Sequence, residues 1–285
     1  MKFSSYCLLK AAFLILLYLH GTSSTAQHIA QASQTHYKQF LNSVTYVVED
    51  ENPFSNFNDV LEKAMQNSWH LTRWQSISTE EFEKLRNDVN SSFIFLSEAS
   101  SARGGFTLNI LNIVMGAKSA DLNKMPDLGS VPLSYVSEED EFDEDNYAYK
   151  LEIFLRFMQS YIQANANSAG NNFQSLVKKN SVSISSKEIW FLAEELSQEV
   201  NSISKISAHY SGKVKIVKLP EIEKAIKDKN PDVLILHKIG PEEGKTGKCL
   251  KFILSVEDGM PYYFNMTDVN AKKPDAFLPE DFKKL

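Results

Sequence analysis

Cysteine is almost absent, with Cys7 and Cys249 the only two among 285 residues. Cys7 falls inside the export signal described below, so one thiol remains, no internal disulfide can brace the fold, and apolar burial must stabilise it. Cys249 stands beside the alternating residues Leu250, Phe252 and Leu254. That setting marks a packed strand residue and not a nucleophile, because buried cysteine behaves as a small hydrophobe.

Basic runs are missing as well. The chain has 30 Lys and Arg against 36 Asp and Glu, and loss of Lys2 and Lys10 with the first 26 residues leaves 28 against 36, a net charge near −8. A field of that sign disfavours nonspecific binding to nucleic acid or anionic lipid. Metal-ligand spacing is also lacking. Beyond the signal the histidines are His28, His36, His70, His209 and His237, and none pairs with another residue at a zinc-finger or metalloprotease interval. No Gly-x-Ser-x-Gly elbow and no Cys/His signature occurs, although a triad built from distant residues would leave no local trace. Two carboxylates facing a cleft stay open as a hydrolytic alternative, since 36 acidic residues supply many pairs.

The longest apolar stretch, Tyr6 to Leu19, is broken by Lys10 and is shorter than the roughly 20 residues a membrane span needs. Met1 and Lys2 precede it, and Gly21, Thr22, Ser23, Ser24, Thr25 and Ala26 follow. A basic start, a short apolar core and small residues describe a secretory signal over 1–26, with the cut between Ala26 and Gln27. Cys7 lies at the start of the apolar core and no cysteine follows Ala26 closely, so a lipid anchor is not expected. The mature chain is therefore expected to be periplasmic or extracellular, with no integral membrane segment.

At 43% apolar residues, the remaining chain can bury one sizeable core or two smaller ones. Residues 27–42 form a lead segment. Val44 to Val48 reads as a strand, and Asn52-Pro53 signals a helix start. Phe57, Leu61, Ala64, Met65 and Trp69 share one helical face. Leu71 to Ile77 is a second strand, and Ser78-Thr79-Glu80-Glu81 opens a short capped helix through Leu85. Phe93 to Leu96 is a buried strand, and Phe106, Leu108 and Ile110 alternate.

The second half repeats this order. Ile189 to Leu192 is a strand, and Leu196, Val200, Ile203 and Ile206 fall on one helical face. Val214 to Leu219 is a strand, Pro220 opens a helix, and Val233 to Leu236 is a strand. Leu250, Phe252, Leu254 and Val256 alternate before Asp258-Gly259, a hairpin signal leading to Tyr262, Tyr263 and Phe264. At a shift of 140, Glu81, Glu83, Lys84, Asp88, Asn90 and Leu96 meet Glu221, Glu223, Lys224, Asp228, Asn230 and Leu236. Agreement in the order and length of elements points to internal duplication.

The expected architecture is thus α/β with some α+β character, two tandem βαβαββ units with mixed sheets. Residues 43–163 make the first unit plus a connecting helix. That helix, over 146–163, carries the stripe Tyr147, Leu151, Phe154, Met158 and Tyr161 and is expected to pack on the first unit. The Asn- and Ser-rich stretch 164–186 reads as a linker, and 187–285 as the second unit.

The run Asn230-Pro231-Asp232-Val233-Leu234-Ile235-Leu236-His237-Lys238-Ile239-Gly240, with the following strand and Asp258-Gly259, resembles the TolB amino-terminal domain and the small α/β domains of curli-secretion lipoproteins. The whole chain resembles uncharacterised exported proteins of Gram-negative bacteria. The resemblance implies a protein-interaction module of the cell envelope. TolB propeller repeats and a lipobox cysteine are missing, so no particular partner is carried over.

Four local features invite chemistry. Gly240-Pro241-Glu242-Glu243-Gly244-Lys245-Thr246 has three residues between its glycines where a Walker loop needs four, and a strand follows instead of a helix. The carboxylates of 138–145 lack the glycine and alternation of a calcium loop and read as a solvated run. His237, at a strand end, reads as structural or surface. Trp190, Phe191, Tyr262, Tyr263 and Phe264 would form an aromatic platform only if several faced outward, which strand alternation opposes. No catalytic residue, metal or cofactor is expected. The expected function is noncatalytic binding of an envelope protein or other macromolecule.

Overall fold

A computed structural model describes residues 30–52, 55–101, 105–136, 146–241 and 244–285. The signal sequence with its Ala26/Gln27 junction, Pro53, the 138–145 carboxylates, Glu242 and Glu243 lie outside the described residues. The chain forms two compact units, one of residues 30–51 and 72–136, the other of 52–71 and 137–285.

The first unit opens with α1 (Gln34–Phe40), whose Ser33 side chain accepts the His36 N–H in a capping box. Five strands follow: β1 (Val44–Val48), β2 (Arg73–Ile77), β3 (Ser91–Ser100), β4 (Thr107–Met115) and β5 (Val131–Tyr135). Their order in the sheet is β2-β1-β3-β4-β5. β2 and β3 flank β1 in parallel, and β4 and β5 add antiparallel strands. Between β2 and β3 runs α3 (Thr79–Leu85), started by the expected Ser78/Glu81 box. Its Phe82 inserts against Phe93, 5.0 Å between ring centroids, in a core completed by Val48, Ile77, Phe95, Val114 and Met125.

The second unit repeats that sheet. Strands β6 (Glu188–Leu192), β7 (Lys213–Val217), β8 (Val233–Ile239), β9 (Gly247–Ser255) and β10 (Pro261–Val269) lie in the order β10-β9-β8-β6-β7. The pairings are again parallel about β6 and antiparallel from β8 through β10. Each unit therefore has one more strand than the expected βαβαββ order. On one sheet face Ile189, Phe191, Leu234, Leu236, Ile253 and Tyr263 pack with Phe277 and Phe282. Helix α7 (Leu219–Lys227) buries Ile222, Ala225 and Ile226, and α8 (Pro279–Phe282) closes the chain.

Strand pairing refines the internal match. A shift of 140 carries β2 onto β7 and β4 onto β9, but Ser91 stands opposite Val44 whereas Val233 stands opposite Glu188, so β3 maps onto β8 at a shift of 142. The extra two residues lengthen α7, nine residues against seven in α3, and an even slip keeps every side chain on its face. Leu96 consequently corresponds to Lys238 and not to Leu236.

Three expectations are corrected. The face Leu196–Ile206 is not one helix: a 3-10 turn (Ala193–Glu195), a bridge from Leu196 to Phe277 and the four-residue α6 (Ile203–Ile206) take its place. Leu196, Val200 and Ile206 are buried as their spacing implied. Ser197, Asn201, Ser202 and Ser204 favour turns over helix interior. Second, the presumed linker is folded. Helix α4 (Leu151–Asn167) runs into it, and α5 (Phe173–Ser181) follows with Phe173 and Leu176 buried. Asn172 caps α5, its Oδ1 accepting from Ser175 N at 2.9 Å.

Third, α4 belongs to the second unit together with α2 (Phe57–Ser68). Glu152 accepts from Asn67 Nδ2 and Ser68 Oγ, both at 3.0 Å, and Gln159 donates to the Ser68 carbonyl at 2.9 Å. The Gln159 bond satisfies a carbonyl at the end of α2, where carbonyls have no helical partner, and the Glu152 bonds hold the side chains of the same turn.

Candidate functional site

In a doubly wound sheet, ligands sit beyond the carboxyl ends of parallel strands where the strand order reverses. In the second unit β7 and β8 lie on opposite sides of β6, which places that reversal at the ends of β6 and β8. The chain leaves β6 through Ala193, Glu194 and Glu195 and leaves β8 through Lys238, Ile239 and Gly240.

Two ion pairs gather there. Lys150, in the 3-10 turn entering α4, places Nζ 3.7 Å from Glu195 Oε1, with side-chain exposures of 3% and 9%. Glu195 Oε2 also accepts from Leu192 N at 2.9 Å. Lys150 Nζ lies 4.8 Å from the centroid of the Tyr149 ring. Lys238 pairs with Asp275 from the segment after β10. A Cβ at Gly240 would overlap the Asp275 carboxylate, which would have to shift from its place beside Lys238.

Burial raises the affinity of Glu195 for a proton, opposed by Lys150, the Leu192 N–H and Lys238. Burial likewise lowers the Lys150 ammonium, with Glu195 opposing and Lys238 adding to the effect. Tyr149 is pushed up by burial and then by Glu195, Glu194 and Glu223. Cys249 is fully buried at the start of β9, and burial followed by nearby Asp275 holds its thiol protonated. The cluster thus contains one carboxyl with a raised proton affinity, an ammonium beside it and a silent thiol. At positions matched by strand pairing the first unit carries Leu96 and Asn109 in place of Lys238 and Cys249, so the charged cluster belongs to the second unit alone.

Deeper in the same unit, Lys251 and Asp281 pair at 2.6 Å with neither side chain exposed. Asp281 also accepts from Tyr263 Oη at 2.8 Å, Asn265 Nδ2 at 2.6 Å and Leu278 N at 2.9 Å. Burial pushes its carboxyl up, but Lys251, Asn265 and the Leu278 N–H bring it below the ordinary carboxylate value. Arg156 on α4 donates to the carbonyls of Ile226 at 2.9 Å and Val256 at 2.6 Å and to Glu152 at 2.7 Å. It thereby supplies a partner at the carbonyl end of α7.

The residues singled out in the sequence are dispersed. His237 is buried, its ring 4.7 Å from Phe154 and 5.8 Å from Phe252. Phe191 and Tyr263 are core residues, Phe264 packs on Phe173 and Phe252, and Trp190 lies under Lys215 Nζ at 4.9 Å. The five aromatics form no common outward platform. The Gly240–Thr246 loop leads into strand β9 as its context required. Among the described residues no group of three or more His, Cys, Asp or Glu could hold a metal, and no helix is long and apolar enough to cross a membrane.

Sequence reasoning passed over Lys150, Arg156, Glu195, Lys251 and Asp281. One signal was present: Lys251 breaks the apolar run Leu250 to Leu254, and a charge in a strand buried on both faces demands a partner.

No family model, curated protein or solved structure matches this chain.

Proposed function

We propose that the chain is an exported, noncatalytic binding or assembly module of the cell envelope. The supporting observation is that each sheet ends in a parallel edge strand, β2 or β7, with no backbone hydrogen bond on its outer side among the described residues. An exposed row of backbone donors and acceptors is a template for strand addition. The use of buried charge fits the same reading. Lys150, Arg156, Lys238 and Lys251 are each matched to a carboxylate, and the Lys238 and Lys251 pairs tie the segment after β10 and α8 to the sheet. The pattern shared with the TolB amino-terminal domain and the signal-like first 26 residues supply the envelope context.

The test is affinity capture by the mature chain from its own envelope, run beside a turnover panel of glycans and peptides. The reading expects specific capture and no turnover. Turnover by the wild type with no macromolecule captured would establish the hydrolytic alternative instead.

A further inference from the structure

The two edge strands occupy matching places in matching sheets yet differ in the charge at their centres. On β7, Lys213 and Lys215 are exposed and Lys218 follows at once. Lysines along an edge discourage pairing with another chain. On β2 the matching positions are Arg73 and Gln75, since Tyr46 stands opposite Gln75 as Trp190 stands opposite Lys215. The centre of the first edge is therefore an uncharged amide where the second has an ammonium. Arg73, Gln75 and Ser76 are exposed and Trp74 is half-buried.

Closed dimers with two-fold symmetry put a surface against itself, so residue complementarity can be read from one strand. An antiparallel pairing of β2 with its own copy, centred on Gln75, sets Gln75 against Gln75, Arg73 against Ile77 and Trp74 against Ser76. Each primary amide both donates and accepts, so the central pair satisfies itself, and no like charges meet. The same operation on β7 sets Lys215 against Lys215, and like charges directly opposite are destabilising.

We infer that the occupant of the β2 edge is a second copy of this chain, joined by a two-fold antiparallel β2–β2 contact that continues the two first-unit sheets into one of ten strands. This rests on the binding-module reading and names its partner at that edge.

The experiment is sedimentation equilibrium of the mature chain from about 1 to 100 μM, a range in which a contact this short would dissociate measurably. The wild type is expected to show a monomer–dimer equilibrium. Gln75→Lys and Gln75→Glu each place like charges at the axis and are expected to weaken it at least about tenfold. Mixing these two variants should restore a one-to-one heterodimer, which separates interface disruption from misfolding, while Lys215→Arg, which keeps the charge on the β7 edge, should leave the equilibrium unchanged. A wild type monomeric throughout, growth past the dimer, a dimer that persists in Gln75→Lys, or a mixture that fails to associate overturns the inference. A monomer that still captures an envelope partner overturns this inference alone, whereas a β2-dependent dimer with turnover and no captured partner overturns the functional reading alone.

Discussion

Lys251 and Asp281 meet at 2.6 Å with no solvent on either, 30 positions apart in the chain. The pair joins the middle of β9 to α8, and Asp281 takes three further hydrogen bonds there. Removing one partner strands a buried charge. Asp281→Asn is therefore expected to cost about 3–5 kcal/mol in urea unfolding near neutral pH.

That contribution has a defined pH window. The folded carboxyl is held below its ordinary value of 3.8, so its stabilisation is present above 3.8 and is lost as pH falls through the lower folded value. The stability difference between wild type and Asp281→Asn should hold steady from neutral pH down to about 4 and narrow below it. A difference unchanged at about pH 2 would contradict the assignment.

The Lys150–Glu195 pair should behave in the opposite sense. With Glu195 raised from 4.5, stability falls as pH rises through its folded value. With Lys150 lowered from 10.5, stability recovers as pH rises from its folded value toward 10.5. The pair's contribution is therefore least favourable at intermediate pH. Replacing both, Lys150→Met with Glu195→Gln, should leave stability near pH 7 unchanged or raise it by up to about 2 kcal/mol and flatten the pH profile. Glu195→Gln alone, which leaves the ammonium buried, should destabilise by about 3 kcal/mol.

Two glycines with similar backbone angles should respond differently to alanine. Gly259 has φ +72° and faces the Ile153 carbonyl and the Phe157 backbone of α4, which cannot give way as a side-chain tip can. Gly244 has φ +79° with open space around it. Gly244→Ala should cost about 1–2 kcal/mol, the left-handed penalty alone. Gly259→Ala adds steric overlap and should cost more than about 3 kcal/mol in thermal or urea melts.

Phe173 offers a check on the segment that composition marked as a tether. Its ring packs edge-on against Phe252 at 5.8 Å and Phe264 at 5.7 Å. Limited proteolysis should spare α5 in the wild type, because buried, hydrogen-bonded backbone resists cleavage. Phe173→Ala should cost about 3 kcal/mol and open cleavage between Ser168 and Ser186. Rapid wild-type cutting there would restore the tether reading.

The local pattern was enough by itself to place nearly every strand and to order them alike in both halves, through short β-branched or apolar runs between turn residues and, for β4 and β9, through alternation. It also determined the Ser78 cap and the Asp258-Gly259 hairpin, whose signals are local. β5 escaped notice: Val131-Pro132-Leu133 is short and carries a proline, which strand reasoning assigns to an edge. Only the tertiary structure decided which helix packs where. The stripe on α4 announced a buried face, but a stripe carries no record of what covers it, and the partners proved to be α2 and the second sheet. Nor could sequence show that Asn172 and Ser175 cap a helix within 164–186, since the same side chains solvate a linker equally well. The charged cluster was hidden for the same reason. Lys150 and Glu195 are ordinary surface residue types, and only folding, which removes their water and brings them within 3.7 Å, gives them distinctive chemistry.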